Sequence, residues 1–131
     1  MRKELQDKIF AAFPSLYCQR NLSPQETCMC WGIETGDGWF ELIYNLSKDI
    51  SNISKNIEAV QVKEKFGGLR FYWSGKNLTN EQTNKIDEQV NEAEEKSYKI
   101  CEKCGSTDNV TQTDGWIVSL CPKCMKEKII N

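Results

Sequence analysis

The run Val60-Gln61-Val62-Lys63-Glu64-Lys65-Phe66-Gly67-Gly68-Leu69-Arg70-Phe71-Tyr72-Trp73 decides the fold. Apolar and polar residues alternate with a period of two on either side of Gly67-Gly68, the pattern of two half-buried strands. Two glycines supply the positive φ angles of a tight two-residue turn, so residues 58–73 are predicted to form a β-hairpin turning at Gly67-Gly68. Val60 and Val62 face one side with Gln61 and Lys63 on the other. Leu69, Phe71 and Trp73 share a face expected to pack on helices, which leaves Arg70 and Tyr72 outward.

Helical periods flank the hairpin. Leu5, Ile9 and Phe13 recur every fourth residue with Phe10 beside them, and Pro14 stops the pattern. Residues 15–35 hold Pro24 and three cysteines without a sustained period, which reads as loop with one irregular strand near residues 29–34. Gly36-Asp37-Gly38 is predicted to open a second helix with Asp37 as N-cap and Trp39, Leu42, Ile43, Leu46, Ile50 and Ile53 as its buried stripe. Beyond the hairpin, Thr79 and Gln82 form a capping box ahead of a charged helix with apolar positions Ile86, Val90, Ala93 and Ile100.

That helix delivers the chain to Cys101-Glu102-Lys103-Cys104, which is matched by Cys121-Pro122-Lys123-Cys124. Two C-x-x-C turns place four thiolates around one ion, and four sulfur ligands close a tetrahedral shell, so one structural Zn²⁺ is expected on Cys101, Cys104, Cys121 and Cys124. A redox dithiol pair or an iron site is the alternative. Gly105 suits the left-handed conformation that follows such a knuckle. Asp114-Gly115 is expected to turn a short hairpin, with Val110 on one strand and Trp116, Val118 and Leu120 on the other, completing a zinc ribbon. Cys18, Cys28 and Cys30 form an incomplete ligand set and read as small buried hydrophobes, with a redox or metal role as the alternative.

The chain of 131 residues has 17 basic and 19 acidic side chains, a net charge of −2 and no histidine. No global positive field advertises nucleic acid. Four thiolates and Zn²⁺ would shift the total to about −4, offset locally by Lys99, Lys103, Lys123, Lys126 and Lys128. Missing histidine excludes Ser-His and Cys-His nucleophile systems, and no phosphate-binding glycine loop is present. Asp37 and Glu41 read as a cap and a solvated face, so the expectation is a protein that is not an enzyme. The first residues lack an apolar run and no stretch of about 18 apolar residues exists, which predicts neither leader nor membrane span. Together with paired knuckles, this points to a reducing, cytoplasmic setting.

The expected architecture is α+β. Residues 1–100 form helices packed on a central antiparallel β-hairpin, and residues 101–131 form a zinc ribbon packed on that core as one unit. Candidate contact residues are Lys63, Lys65, Arg70 and Tyr72 on the hairpin, and Asp114 and Trp116 at the ribbon tip. Cations beside stacking side chains suit single-stranded nucleic acid. Trp31, Trp39, Trp73 and Tyr72 around Arg70 would suit a small nucleotide. The acidic helix, with Glu81, Asp87, Glu88, Glu92, Glu94 and Glu95, would suit a basic groove on a partner.

Met29, Trp31-Gly32, Gly36-Asp37-Gly38-Trp39 with Leu42-Ile43, the Val60-to-Tyr72 run and cysteine pairs flanking Gly115-Trp116 resemble a group of small bacteriophage-encoded proteins of unassigned function. The resemblance covers most of the chain. Some members of that group replace cysteines of the second knuckle with histidine, whereas this chain keeps four thiols. The resemblance implies an accessory protein that binds and modulates a host protein, such as an anti-CRISPR inhibitor of a defence system. A zinc-ribbon nucleic-acid binder and a protein that sequesters a nucleotide signal are the alternatives. Oligomeric state is not legible.

Overall fold

A computed structural model describes residues 1–130, with side chains described through Glu127; Asn131 and the side chain of Lys128 lie outside the described residues. The chain is mixed helix and sheet, with a cysteine cluster at its C-terminal end. Helix α1 (Lys3–Ala12) follows the expected period and ends before Pro14. Residues 15–35 are irregular, with short 3₁₀ turns at Cys18–Asn21 and Met29–Trp31 and a two-residue strand β1 (Ile33–Glu34). Helix α2 (Phe40–Ile53), strands β2 (Ile57–Lys65) and β3 (Gly68–Gly75), and helix α3 (Asn80–Ser97) follow. The sheet has the order β1-β2-β3, parallel between β1 and β2 and antiparallel between β2 and β3.

The hairpin exists with its turn one residue earlier than expected. Lys65 pairs with Gly68, so the turn residues are Phe66 (φ 55°) and Gly67 (φ 84°). Two consecutive positive φ values are the requirement of the tight turn whose twist matches the strands. Gly68 is a buried strand residue instead, and a Cβ there would run into the phenol ring of Tyr98. The glycine pair therefore serves two purposes, a turn at Gly67 and a close approach at Gly68.

Val60 departs from the expected alternation because a β-bulge lies between Ala59 and Gln61. One extra residue switches the phase of the strand. Ile57 and Ala59 are buried before it and Val62 after it, while the Val60 carbonyl accepts a hydrogen bond from Thr27 Oγ1 at 3.3 Å.

The core gathers Ile9 from α1, Ile43, Leu46 and Ile50 from α2, Ile33, Ile57, Val62, Leu69 and Phe71 from the sheet, and Ile86 and Ala93 from α3. Tyr17 sits among them with its hydroxyl 2.7 Å from Ser47 Oγ, and burial raises its pKa above the usual phenol range. The capping box of α3 is formed as expected: Gln82 N–H donates to Thr79 Oγ1 at 3.1 Å and Thr79 N–H to Gln82 Oε1 at 3.0 Å. Asp37 does not cap α2. Residues Asp37–Trp39 form a 3₁₀ turn ahead of the helix, and the Asp37 carboxylate accepts the Arg2 backbone N–H at 2.8 Å.

The final segment carries strands β4 (Thr111–Gln112) and β5 (Ser119–Leu120), paired antiparallel, and helix α4 (Pro122–Ile130). The turn is wider than the Asp114-Gly115 pair alone, since Thr113 N–H reaches the Val118 carbonyl at 3.0 Å. The second cysteine pair lies at the start of α4 rather than on a free knuckle. Pro122 suits the first helical position, and the arrangement is knuckle, hairpin, helix. Among the described residues, no helix is long and apolar enough to cross a membrane.

Candidate functional site

Cysteines Cys101, Cys104, Cys121 and Cys124 place their sulfurs within 4.8 Å of one another. Tetrahedral zinc with bonds of about 2.3 Å would space its sulfurs by about 3.8 Å. The Cys104 and Cys121 sulfurs are 3.6 Å apart, so the cluster has the dimensions of a metal shell and could hold an ion. Among the described residues it is the group of cysteine and carboxylate side chains so placed, and Cys18, Cys28 and Cys30 stand outside it.

Local geometry explains how the sulfurs converge. The first knuckle closes with Gly105 N–H donating to the Cys101 carbonyl at 2.8 Å and Cys101 N–H to the Ser106 carbonyl at 2.8 Å. Gly105 adopts φ 84°, the left-handed conformation expected of it. The first turn of α4 presents the other pair, with Met125 N–H on the Cys121 carbonyl at 2.9 Å. Burial disfavours the Cys101 thiolate, but backbone N–H groups of Cys121, Cys104 and Lys103 more than compensate and bring its pKa to about 7. Cys124 is pushed up by burial and by the neighbouring thiols. Four thiolates packed this closely need a cation before all can ionise. Lys103 is engaged with Glu127 at 3.0 Å, and Lys99, Lys123 and Lys126 are exposed.

The knuckle is docked on the helical body through the two glycine turns. Gly38 N–H donates to the Glu102 carbonyl at 2.7 Å and Gly36 N–H to Glu102 Oε2 at 2.8 Å. A Cβ at Gly38 would strike the backbone of Cys101 and Gly105, and one at Gly36 the backbone of Glu102. Trp39, fully buried, donates its indole N–H to the Ile100 carbonyl at 2.9 Å. On the other side, Ser119 Oγ donates to the Gly67 carbonyl at 2.6 Å, and Gln112 Nε2 reaches the Tyr98 carbonyl at 2.9 Å. Gly36-Asp37-Gly38-Trp39 is thus a cradle for the cysteine knuckle, a role hidden from sequence because its partner lies more than 60 residues away. Glu102 Oε1 and Glu64 Oε2 are buried without a hydrogen-bond partner in the protein; burial, and then the charge of Glu64, raise the Glu102 pKa.

The candidate contact residues divide. Lys63 and Lys65 line a cleft of about 250 Å³ together with Glu64, Phe66, Gly115, Trp116 and Ile117, and Asp114 is exposed. Phe66 is 63% and Trp116 79% exposed. Phe66 was not singled out by sequence, because the turn was placed one residue late. Arg70 is half-buried and ion-paired with Glu94 of α3, which occupies its guanidinium. Tyr72 is exposed on the outward face of β3, whereas Trp73 faces α3 and donates to Asp87 Oδ1 at 3.2 Å. Trp39 belongs to the core, so the aromatic group expected around Arg70 is not assembled.

Cys18, Cys28 and Cys30 are not the buried hydrophobes expected. Cys18, in the first 3₁₀ turn, and Cys28, just ahead of the second, are exposed, and Cys30 is half-buried. The Cys18 thiol lies 2.7 Å from Glu58 Oε1, and desolvation, reinforced by that carboxylate, raises its pKa.

Comparison with protein-family models, curated proteins and solved structures returns no match.

Proposed function

We propose that this chain is a non-enzymatic, zinc-stabilised accessory protein of phage type that works by gripping a host protein, with the cleft between the hairpin turn and the β4–β5 loop as its contact surface. The observation that carries this reading is Phe66. An aromatic residue at φ 55° costs roughly 1–2 kcal/mol relative to a residue suited to that region. Its ring is nonetheless 63% exposed, beside the still more exposed Trp116. Strain without compensating burial is a cost to folding, and aromatic anchors at the centre of an interface are where binding energy concentrates.

One zinc ion suits the four-sulfur shell, which leaves no open position for a substrate and so gives the metal a structural task. The phage assignment and the reading as a defence inhibitor, such as an anti-CRISPR, rest on the resemblance of the Gly36-to-Trp39 and Lys63-to-Tyr72 segments. The test compares capture of proteins from bacterial host extract by the native chain and by a Phe66→Ala/Trp116→Ala variant. A host protein held at least tenfold better by the native chain is expected; equal capture by both would overturn the cleft as the contact surface.

A second reading, a nucleic-acid binder, is favoured by Lys63 and Lys65 standing on the same cleft as two exposed aromatic rings. Gel shifts with single-stranded DNA and RNA at low salt, where phosphate contacts are strongest, separate the two readings.

A further inference from the structure

The four cysteines are not equivalent. Cys101, Cys121 and Cys124 are buried, while Cys104 is exposed and lines a groove of about 500 Å³ beside Arg2, Asp37, Lys103 and Thr107. Its sulfur is 3.6 Å from that of Cys121, a ligand from the other half of the site. We propose that Cys104 is the oxidation site of this metal centre, the thiolate at which a peroxide enters, with Cys121 as the resolving thiolate.

Ligated thiolates are already deprotonated, so access decides which of them meets a small oxidant first. The Cys104 thiolate attacks one oxygen of hydrogen peroxide, the O–O bond breaks, and after protonation one water leaves and Cys104 carries a sulfenic acid. The Cys121 thiolate then attacks the Cys104 sulfur, the S–S bond forms, the S–O bond breaks, and the hydroxyl leaves as a second water with a proton from solvent. Two thiolates lose two electrons together and the peroxide gains them. With those two sulfurs joined, only Cys101 and Cys124 would remain to hold an ion, and the site would release it. The sulfurs must close from 3.6 Å to a bond, a movement between the knuckle and α4 that pulls on the contacts of Glu102 with Gly36 and Gly38.

The proposal rests on the zinc assignment and is independent of the cleft. Its test uses the full chain carrying Cys18→Ser, Cys28→Ser and Cys30→Ser, so that only the four clustered thiols remain. Zinc is measured before and during titration with hydrogen peroxide, and the protein is then digested with trypsin without reduction. Cleavage after Lys103 and Lys123 leaves Cys104 and Cys121 on one peptide, while Cys101 and Cys124 fall on two others. The expected result is one zinc released per disulfide formed, with the 104–123 peptide about 2 Da lighter and not cross-linked. Cross-linked peptides containing Cys101 or Cys124 as the first product, or zinc retained after the disulfide forms, would overturn this proposal alone. Absence of zinc before oxidant is added would overturn it together with the zinc assignment.

Discussion

The body and the C-terminal module solve the problem of a buried interior by different means. In the body, sixteen residues form a continuous buried core, nearly all of them aliphatic or aromatic. Among the described residues of the module, the buried cluster is Cys101, Leu120, Cys121 and Cys124, three of them thiols, with Val110, Val118 and Met125 partly buried against it. Hydrophobic burial of one large aliphatic side chain stabilises by about 1.5–3 kcal/mol, and the body has many of them. A cluster this small rarely holds about 30 residues together, and four clustered cysteines that could bind an ion offer ligation in place of burial. The module is seated on the body by a backbone hydrogen bond from Gly38 N–H to the Glu102 carbonyl and by two bonds that involve side chains, Gly36 N–H to Glu102 Oε2 and Ser119 Oγ to the Gly67 carbonyl.

The largest expected effect separates the two mechanisms. Cys121→Ser, or an excess of chelator, removes a ligation energy on the order of 10 kcal/mol, unfolding the module while the body keeps its helical circular dichroism and its cooperative transition. Next comes the body: Ile50→Ala, at a fully buried site, is expected to cost about 2–5 kcal/mol in denaturant unfolding with metal content unchanged. A substitution at the seam should register on both sides. Gly38→Ala forces a methyl against the knuckle backbone, at about 1–3 kcal/mol, and is expected to weaken zinc retention against a competing chelator although position 38 is not a ligand. The smallest effect has the opposite sign: Phe66→Asn places a residue tolerant of the left-handed region at the turn and is expected to raise stability by about 1 kcal/mol, read as a higher melting temperature, while weakening partner capture.

Alkaline pH probes the body through Tyr17. Its pKa is raised in the folded state, so the stability it lends is present below the unfolded phenol value near 10 and is lost as pH rises beyond it. Tyr17→Phe is expected to flatten that decline in denaturant titrations between about pH 9 and 11.

Legibility in the sequence followed the range of the interactions involved. The capping box at Thr79 and Gln82, the stripe of α2 and the cysteine pairs are local patterns, and each appears where the spacing places it. The hairpin was legible as an element and misplaced in detail. The turn falls at Phe66-Gly67 and leaves Gly68 as a strand residue packed against Tyr98, a contact across 30 residues that no local pattern announces. The parallel pairing of β1 with β2, at Ile33 with Val62, has no local signal at all. The bulge at Val60 is likewise silent in a run that alternates convincingly. At the site, the grouping of the four cysteines could be read from spacing, but the cradle could not. Gly36-Asp37-Gly38 looks like a helix start until Glu102 is brought against it.

Amide hydrogen exchange of the intact protein, with and without a chelator, tests most directly whether a metal rather than a core folds the C-terminal module. Removal of the ion is predicted to erase protection at residues 101–125 and to lower it at Gly36 and Gly38, while Ile43, Leu46, Ile50, Val62 and Phe71 keep theirs. Protection of the module that survives complete metal removal, or its loss together with that of α2 and the sheet in one step, would contradict the account.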